Sequence, residues 1–118
     1  NVYVLNNWSY YLSLRNEQLE KAAEMSKRSN ELSPNNPSFL DTYGWILYMQ
    51  AKYADALIWL DKAIVAGGQE NGTILEHYGD TLFRLGKITE ALEYWTRAKK
   101  TGDHTELLDK KINDKKLY

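Results

Sequence analysis

A pattern of apolar, aromatic and small residues returns every 35 positions, and it limits what this chain can fold into more than any other feature. The matched positions include Leu5, Leu40 and Leu75; Trp8, Tyr43 and Tyr78; Ser9, Gly44 and Gly79; Leu12, Leu47 and Leu82; and, in the second half of each copy, Ala22, Ala56 and Ala91, where Ala22 stands one position late because the first copy has one extra residue in its turn. A fixed period of this size is the signature of stacked structural units. We therefore expect an array in which each unit buries its apolar face against its neighbours.

Each copy contains two stretches with helical spacing of apolar residues, separated by a short polar turn. The turns fall at Asn16–Gln18, Ala51–Lys52 and Gly86–Lys87, so each copy predicts a helical hairpin. The small residue of each copy falls where the two helices would cross, and a larger side chain there would force the axes apart. Glycine inside a helix costs about 1 kcal/mol relative to alanine, so Gly44 and Gly79 need such a packing reason.

The repeated residues resemble the tetratricopeptide repeat (TPR), a helical hairpin of about 34 residues. The second copy carries Leu40, Tyr43, Gly44, Leu47, Tyr53, Ala56, Leu60 and Ala63, and the third carries Leu75, Tyr78, Gly79, Leu82, Gly86, Ala91, Trp95 and Ala98. The first copy departs from this pattern at Ser9, Ser26 and Ser29. The resemblance is to the C-terminal repeats of bacterial TPR proteins. It implies an all-α fold: a right-handed α-α superhelix of three hairpins plus a C-terminal capping helix.

The chain reads as one array over residues 1–118, with repeats at about 2–34, 37–68 and 72–102 and a capping helix at about 104–117. Asp103 followed by Glu106 resembles a capping box for the last helix. Lys110, Lys111, Lys115 and Lys116 alternate with aspartates, which is typical of a solvated face. The chain opens with Asn1 directly on a helix pattern, so we expect a fragment or processed piece of a longer protein, with further repeats or a targeting segment upstream.

Composition argues against several classes of protein. The 15 basic and 16 acidic residues are mixed along the chain, without the basic stripe that nucleic acid requires. No apolar run reaches the roughly 18 residues of a membrane span. Cysteine is absent, which excludes disulfides and thiolate metal sites. Localisation stays open between the cytoplasm and a bacterial periplasm or envelope.

No arrangement of residues predicts catalysis, so we expect no enzyme, cofactor or metal. His77 and His104 are the only histidines, and neither has a second imidazole at ligand spacing. His77 and Asp80 could share a metal or a proton, but a polar residue lining a groove is the simpler interpretation. Glu76 and Asp80 lie four apart, yet acid and base roles need two different, enclosed environments.

In proteins of the kind that this chain resembles, the first helix of each hairpin lines a concave groove that receives an extended peptide or a partner helix. The residues of this chain that stand at the corresponding groove positions of each repeat are Tyr10, with Tyr3, Asn6 and Ser13, from the first copy; Asp41, Trp45, Tyr48 and Met49 from the second; and Glu76, Asp80, Phe83 and Arg84 from the third. Aromatic side chains beside a polar rim suit a recognition surface.

The resemblance therefore implies a protein–protein interaction scaffold or adaptor, whose partner is an unidentified protein or peptide. Some members of the family hold a terminal carboxylate with lysine, asparagine and arginine. Here Asn6 and Arg84 are accompanied by Asp41, Glu76 and Asp80, so a partner with basic or apolar side chains fits better. Two alternatives stay open. In the first, the chain is a structural segment that packs its aromatic residues on upstream repeats or, as a homo-oligomer, on another copy of the chain. In the second, it is an accessory domain of an envelope complex.

Overall fold

Helices account for most of residues 1–15 and 18–118, which are the part of the chain that the computed structural model describes. They are α1 (Val2–Leu14), α2 (Leu19–Leu32), α3 (Pro37–Met49), α4 (Tyr53–Val65), α5 (Gly72–Arg84), α6 (Ile88–Thr101) and α7 (Leu108–Asp114). α1 packs on α2, α3 on α4 and α5 on α6, while α2–α3 and α4–α5 contacts join successive hairpins and α7 packs on α6. The predicted all-α array of three hairpins and a last helix is confirmed.

Three asparagines spaced 35 residues apart begin the first helix of each hairpin. Asn1, Asn36 and Asn71 are the N-caps of α1, α3 and α5. Their side-chain oxygens accept hydrogen bonds from backbone N–H groups two or three residues later, at 2.8, 3.2 and 3.1 Å. An asparagine in this position satisfies an N–H group that would otherwise lack a partner in the helix. The first helices therefore all begin in the same register.

The turns inside the second and third hairpins are built alike. Ala51 and Gly86 adopt positive φ angles of 63° and 81°. The N–H of the lysine that follows each of them donates to a carbonyl five residues earlier, at 2.9 Å in both hairpins. This arrangement satisfies carbonyls at the end of a helix and lies where the sequence predicts the turns. The turn predicted at Asn16–Gln18 includes residues 16 and 17, which lie outside the described residues.

Small residues do allow the two helices of a hairpin to approach closely. A Cβ atom on Gly44 would lie 2.8 Å from Cγ of Leu60, and one on Gly79 would lie 2.6 Å from Nε1 of Trp95. In the first hairpin the equivalent Ser9 is fully buried, and its hydroxyl donates to the Asn6 carbonyl at 2.8 Å. The predicted packing reason for these small residues is therefore present.

The last helix is shorter than predicted. It covers Leu108–Asp114, and Leu107 is its N-cap without a side-chain hydrogen bond, so the capping box at Asp103 and Glu106 does not form. The reason is a tertiary contact: Thr105 donates from its backbone N–H and its hydroxyl to the Glu76 carboxylate on α5, at 2.8 and 2.6 Å. These hydrogen bonds hold the segment before α7 against α5, so this segment does not form the first turn of the helix that the sequence predicts.

We expect Gly79→Ala to lower the free energy of unfolding by roughly 1–3 kcal/mol. Helix propensity alone would favour alanine by about 1 kcal/mol, but the new methyl group would overlap the Trp95 ring. That ring cannot turn away easily, because its Nε1 donates to Asp80 at 2.9 Å. Unfolding in urea measures the loss.

Gly44→Ala is the matched control, since its methyl group would meet Leu60, an aliphatic side chain that no hydrogen bond holds in place. We expect a smaller loss for Gly44→Ala than for Gly79→Ala. Equal losses in the two variants would contradict the role given to the fixed indole.

Candidate binding groove

The first helices of the three hairpins line a cavity of about 730 Å³, which we call the groove. Seven of the predicted site residues line it: Tyr10 of α1; Trp45, Tyr48 and Met49 of α3; and Asp80, Phe83 and Arg84 of α5. Asp41 instead lines a smaller neighbouring cavity with Asn6 and Tyr10. Glu76 is buried under the segment that leads into α7. The C-terminal residues Leu107, Lys111, Lys116, Leu117 and Tyr118, which the sequence did not predict as site residues, also line the groove.

An aromatic stack crosses from the second hairpin to the third. The Trp45 ring lies parallel to the Tyr48 ring with a centroid distance of 4.4 Å, and it stacks on the His77 ring at 3.9 Å. Trp45 and Tyr48 are both half-buried, and both line the groove. Trp45 therefore packs on the next repeat and still faces the groove.

His77 and Asp41 form an ion pair that joins α5 to α3. His77 Nδ1 lies 2.9 Å from Asp41 Oδ1, and both residues are buried. Burial by itself would lower the pKa of His77, but the facing Asp41 carboxylate raises it above the usual 6.5, with smaller contributions from Asp80 and Glu76. His77 is thus a link between repeats as well as a residue that lines the groove.

Lys111 of α7 pairs with the two carboxylates of α5, and we call Glu76, Asp80 and Lys111 the Lys111 cluster. Its ammonium donates to Glu76 Oε2 at 2.7 Å and to the two oxygens of Asp80 at 2.9 and 3.0 Å. All three side chains are buried. The expectation that Lys111 belongs to a solvated face is therefore wrong, because α7 docks with this lysine directed at α5.

The pKa values of the two carboxylates of the Lys111 cluster are shifted in opposite directions. Burial would raise the pKa of Glu76, but hydrogen bonds from Lys111 and Thr105 lower it below its usual value. Burial raises the pKa of Asp80, and the attraction of Lys111 offsets only part of that effect. Burial would lower the pKa of Lys111, but the two carboxylates raise it, so the ammonium stays charged at neutral pH. Both carboxylates are occupied by groups of the chain itself.

Contacts across the groove wall join residues one repeat apart. Asp41 and His77 are separated by 36 positions, as are Tyr48 and Arg84, whose Nε donates to the tyrosine hydroxyl at 3.2 Å. Glu76 and Lys111 are separated by 35. Pairing each side-chain acceptor of a first helix with a donor one repeat later would have found these contacts in the sequence, whereas alignment of equivalent positions did not.

None of the described helices is both long and apolar enough to cross a bilayer. In residues 1–15 and 18–118, no group of three or more histidine, aspartate or glutamate side chains is placed to hold a metal ion.

The fold and the groove define a class of protein, an α-α superhelix of stacked helical hairpins. No protein-family model matches this chain. Among curated proteins, the TPR repeat-containing protein PA4667 of Pseudomonas aeruginosa is 38% identical over 64 residues, which are 54% of this chain and 11% of that protein. The match thus spans only a small part of the relative's length.

Solved structures match over nearly the whole chain. The first TPR of Spaghetti (RPAP3) bound to the HSP90 peptide SRMEEVD superposes with a TM-score of 0.84 at 15% identity, covering 96% of this chain and 88% of that chain. The Sgt2 TPR domain from Aspergillus fumigatus gives 0.85 at 13% identity, covering 96% and 75%. These matches show that the chain has the fold of tetratricopeptide-repeat domains.

Replacing Lys111 with methionine should lower the free energy of unfolding by roughly 3–5 kcal/mol, because it leaves two buried carboxylates without a cation. Lys110→Met is the matched control, since this neighbouring lysine is exposed. Urea unfolding of the two variants gives the comparison. A loss at Lys111 no larger than the loss at Lys110 would show that the ion pairs do not hold α7.

The His77–Asp41 pair predicts a dependence of stability on pH. Because the pKa of His77 is raised on folding, its protonated form adds stability that is fully present below the unfolded value of about 6.5 and is lost as pH rises through the folded pKa. The Tm of the chain should therefore fall as pH rises above about 6.5, relative to that of His77→Gln. Glutamine still donates to Asp41 but does not titrate, so parallel pH profiles would contradict the assignment.

Proposed function

We propose that this chain is a non-catalytic protein-binding module, a scaffold or adaptor that holds an extended peptide or a partner helix in the groove. One observation carries the proposal: aromatic side chains from successive first helices converge on one cavity while remaining partly exposed. Trp45, Tyr48 and Phe83 are half-buried and all line it. Rigid aromatic surface that is already oriented binds a partner at low cost in conformational entropy.

A structural neighbour supports this class of partner. The first TPR of Spaghetti (RPAP3), which shares the fold of this chain, is bound to an HSP90 peptide in its solved structure. Its 15% identity supports an analogy at the level of a peptide ligand and not of the peptide's sequence.

The electrostatics of the groove favour a partner with apolar anchor residues. The sequence suggested a partner with basic or apolar side chains, the basic ones because Asp41, Glu76 and Asp80 were expected to be available. These carboxylates are instead paired with His77 and Lys111. The exposed charges that line the groove are Arg84, Lys116 and Asp103, which are of mixed sign. Apolar and aromatic contact is therefore the main interaction that the groove offers.

Selection from a random peptide library displayed on phage, with the full chain immobilised, tests this proposal. We expect enriched peptides that carry apolar or aromatic residues and that bind the chain in solution by fluorescence anisotropy. Tyr48→Ala and Phe83→Ala should each weaken the binding of such a peptide about tenfold, the effect of losing an aromatic anchor.

Ile58→Ala is the control, because Ile58 is an exposed apolar residue of α4 that does not line the groove. Its affinity for the selected peptide should equal that of the unmodified chain. Failure to enrich any peptide, or enriched peptides that bind Tyr48→Ala and Phe83→Ala with full affinity, would contradict a binding role for the groove.

A further inference from the structure

A smaller cavity lies beside the groove, where α1, α3 and the start of α5 come together, and we call it the side cavity. Its volume is about 320 Å³, at the lower end of the ~300–1,000 Å³ of ligand pockets in proteins. Tyr10, Thr73 and Asp103 line both cavities. Because the two cavities share this wall, one extended segment can contact both.

The side cavity contains a buried acceptor that lacks a donor. Asn6 lines the cavity and is only 7% exposed, and its Oδ1 has no hydrogen-bond partner among the described residues. Buried polar atoms of folded proteins nearly always have a partner, and an unpartnered one is costly. The last torsion of an asparagine side chain has a broad energy minimum, so this oxygen can turn towards a donor that enters the cavity.

The equivalent acceptors in the later hairpins do have donors. Asn6, Asp41 and Glu76 stand 35 positions apart, on α1, α3 and α5. Asp41 is paired with Nδ1 of His77, and Glu76 accepts a hydrogen bond from the ammonium of Lys111. At both interfaces a nitrogen of a basic side chain, supplied by the next first helix or by α7, meets the acceptor.

The first interface lacks such a donor. The residue that stands 35 positions after Asn6 is Asp41, which is itself an acceptor. The residue 36 positions after it is Thr42, whose hydroxyl already donates to the Ser38 carbonyl at 2.9 Å. The row of interhelical hydrogen bonds is therefore incomplete at Asn6, and the side cavity lies at this place.

The charges around the side cavity favour a cation as the missing donor. The described residues that line it include two carboxylates, Asp41 and Asp103, and no lysine, arginine or histidine. His77 contacts Oδ1 of Asp41, and no described residue donates to Oδ2 of the same carboxylate. Asp103 is exposed. A hydrogen bond from an ionised donor is stronger than one from a neutral donor, so the site suits an ammonium or a guanidinium.

We propose that the side cavity binds the ammonium or guanidinium group of a lysine or arginine side chain, carried by the same segment that places apolar anchors in the groove. The cation donates to Oδ1 of Asn6 and lies beside Asp41 and Asp103. It thus occupies at the first interface the place that His77 and Lys111 occupy at the next two. The origin of the side chain rests on the proposed function, whereas the site itself rests on Asn6.

NMR titration of the full chain with n-butylguanidinium tests the site without any contact in the groove. The backbone amide signals of residues around the side cavity should shift and saturate, with a dissociation constant in the millimolar range. n-Butylurea is the matched probe, because it has nearly the same shape and no charge. We expect n-butylurea to bind about tenfold more weakly, since the two carboxylates do not attract a neutral donor.

Asn6→Leu removes the acceptor and keeps a side chain of similar size. It should weaken the binding of n-butylguanidinium about tenfold, the loss of a hydrogen bond to a charged group. Its Tm should not fall, because the variant also removes an unpartnered buried oxygen. A lower Tm of Asn6→Leu together with no saturable shift by n-butylguanidinium would overturn the proposal, since Asn6 would then be a structural residue that water alone satisfies.

Asp103→Asn should weaken the binding of the same probe by a smaller factor than Asn6→Leu, because an exposed carboxylate contributes less than a buried acceptor. Asp55→Asn is the control, since Asp55 is an exposed residue of α4 that lines neither cavity. It should bind the probe as the unmodified chain does. Full affinity in both Asn6→Leu and Asp103→Asn would also overturn the proposal, because the cation would then bind elsewhere.

The peptides from the phage selection separate this inference from the proposed function. We expect enriched peptides to carry a lysine or arginine beside their apolar anchors, and replacement of that residue by norleucine should weaken binding to the unmodified chain but not to Asn6→Leu. Enriched peptides without a basic residue, with no saturable shift by n-butylguanidinium, would overturn the inference and leave the proposed function standing. Saturable binding of n-butylguanidinium without any enriched peptide would support the site and contradict the proposed function.

Discussion

The close crossing of the two helices in each hairpin is the constraint on which the rest of the structure depends. Gly79 lies against the Trp95 indole and Gly44 against Leu60, so no side chain can separate the paired axes. A pair held at that distance behaves as one unit, and successive units can stack only at an interval set by the repeat. The groove is a consequence of that interval, because it places equivalent first helices side by side with their aromatic residues on one surface.

Stacking at a fixed interval also determines which polar groups can meet. A carboxylate or hydroxyl on one first helix faces a donor on the next, as in Asp41 with His77 and Tyr48 with Arg84. The pairing of Glu76 with Lys111 repeats this relation one step further along. α7 therefore makes the contact that the first helix of another hairpin would make, and the third hairpin is covered at its outer end in the same register.

Local chemistry made most of the fold predictable from the sequence. The turns at Ala51 and Gly86 and the small residues at the crossings depend on steric limits that act within one hairpin. Lys111 was mistaken for a solvated residue because its neighbours in sequence are charged, whereas its burial depends on carboxylates 31 and 35 positions away. The position of Trp45, which stacks on His77 and also lines the groove, was equally unpredictable. The place of an aromatic residue within the repeat does not tell whether its ring packs on the next repeat, faces the groove or does both.

The Lys111 cluster explains why the groove offers less negative charge to a partner than its acidic residues suggest. Desolvating three charged groups is costly, and a buried ion pair often contributes little net stability compared with apolar residues of similar size. The favourable burial on α7 comes instead from Leu108, while the ion pairs select the one position of the helix in which both carboxylates are matched. The carboxylates of α5 are therefore used to place the last helix. For the partner proposed above, the surface that remains is the aromatic one, and we expect the affinity to depend more on shape and apolar contact than on salt concentration.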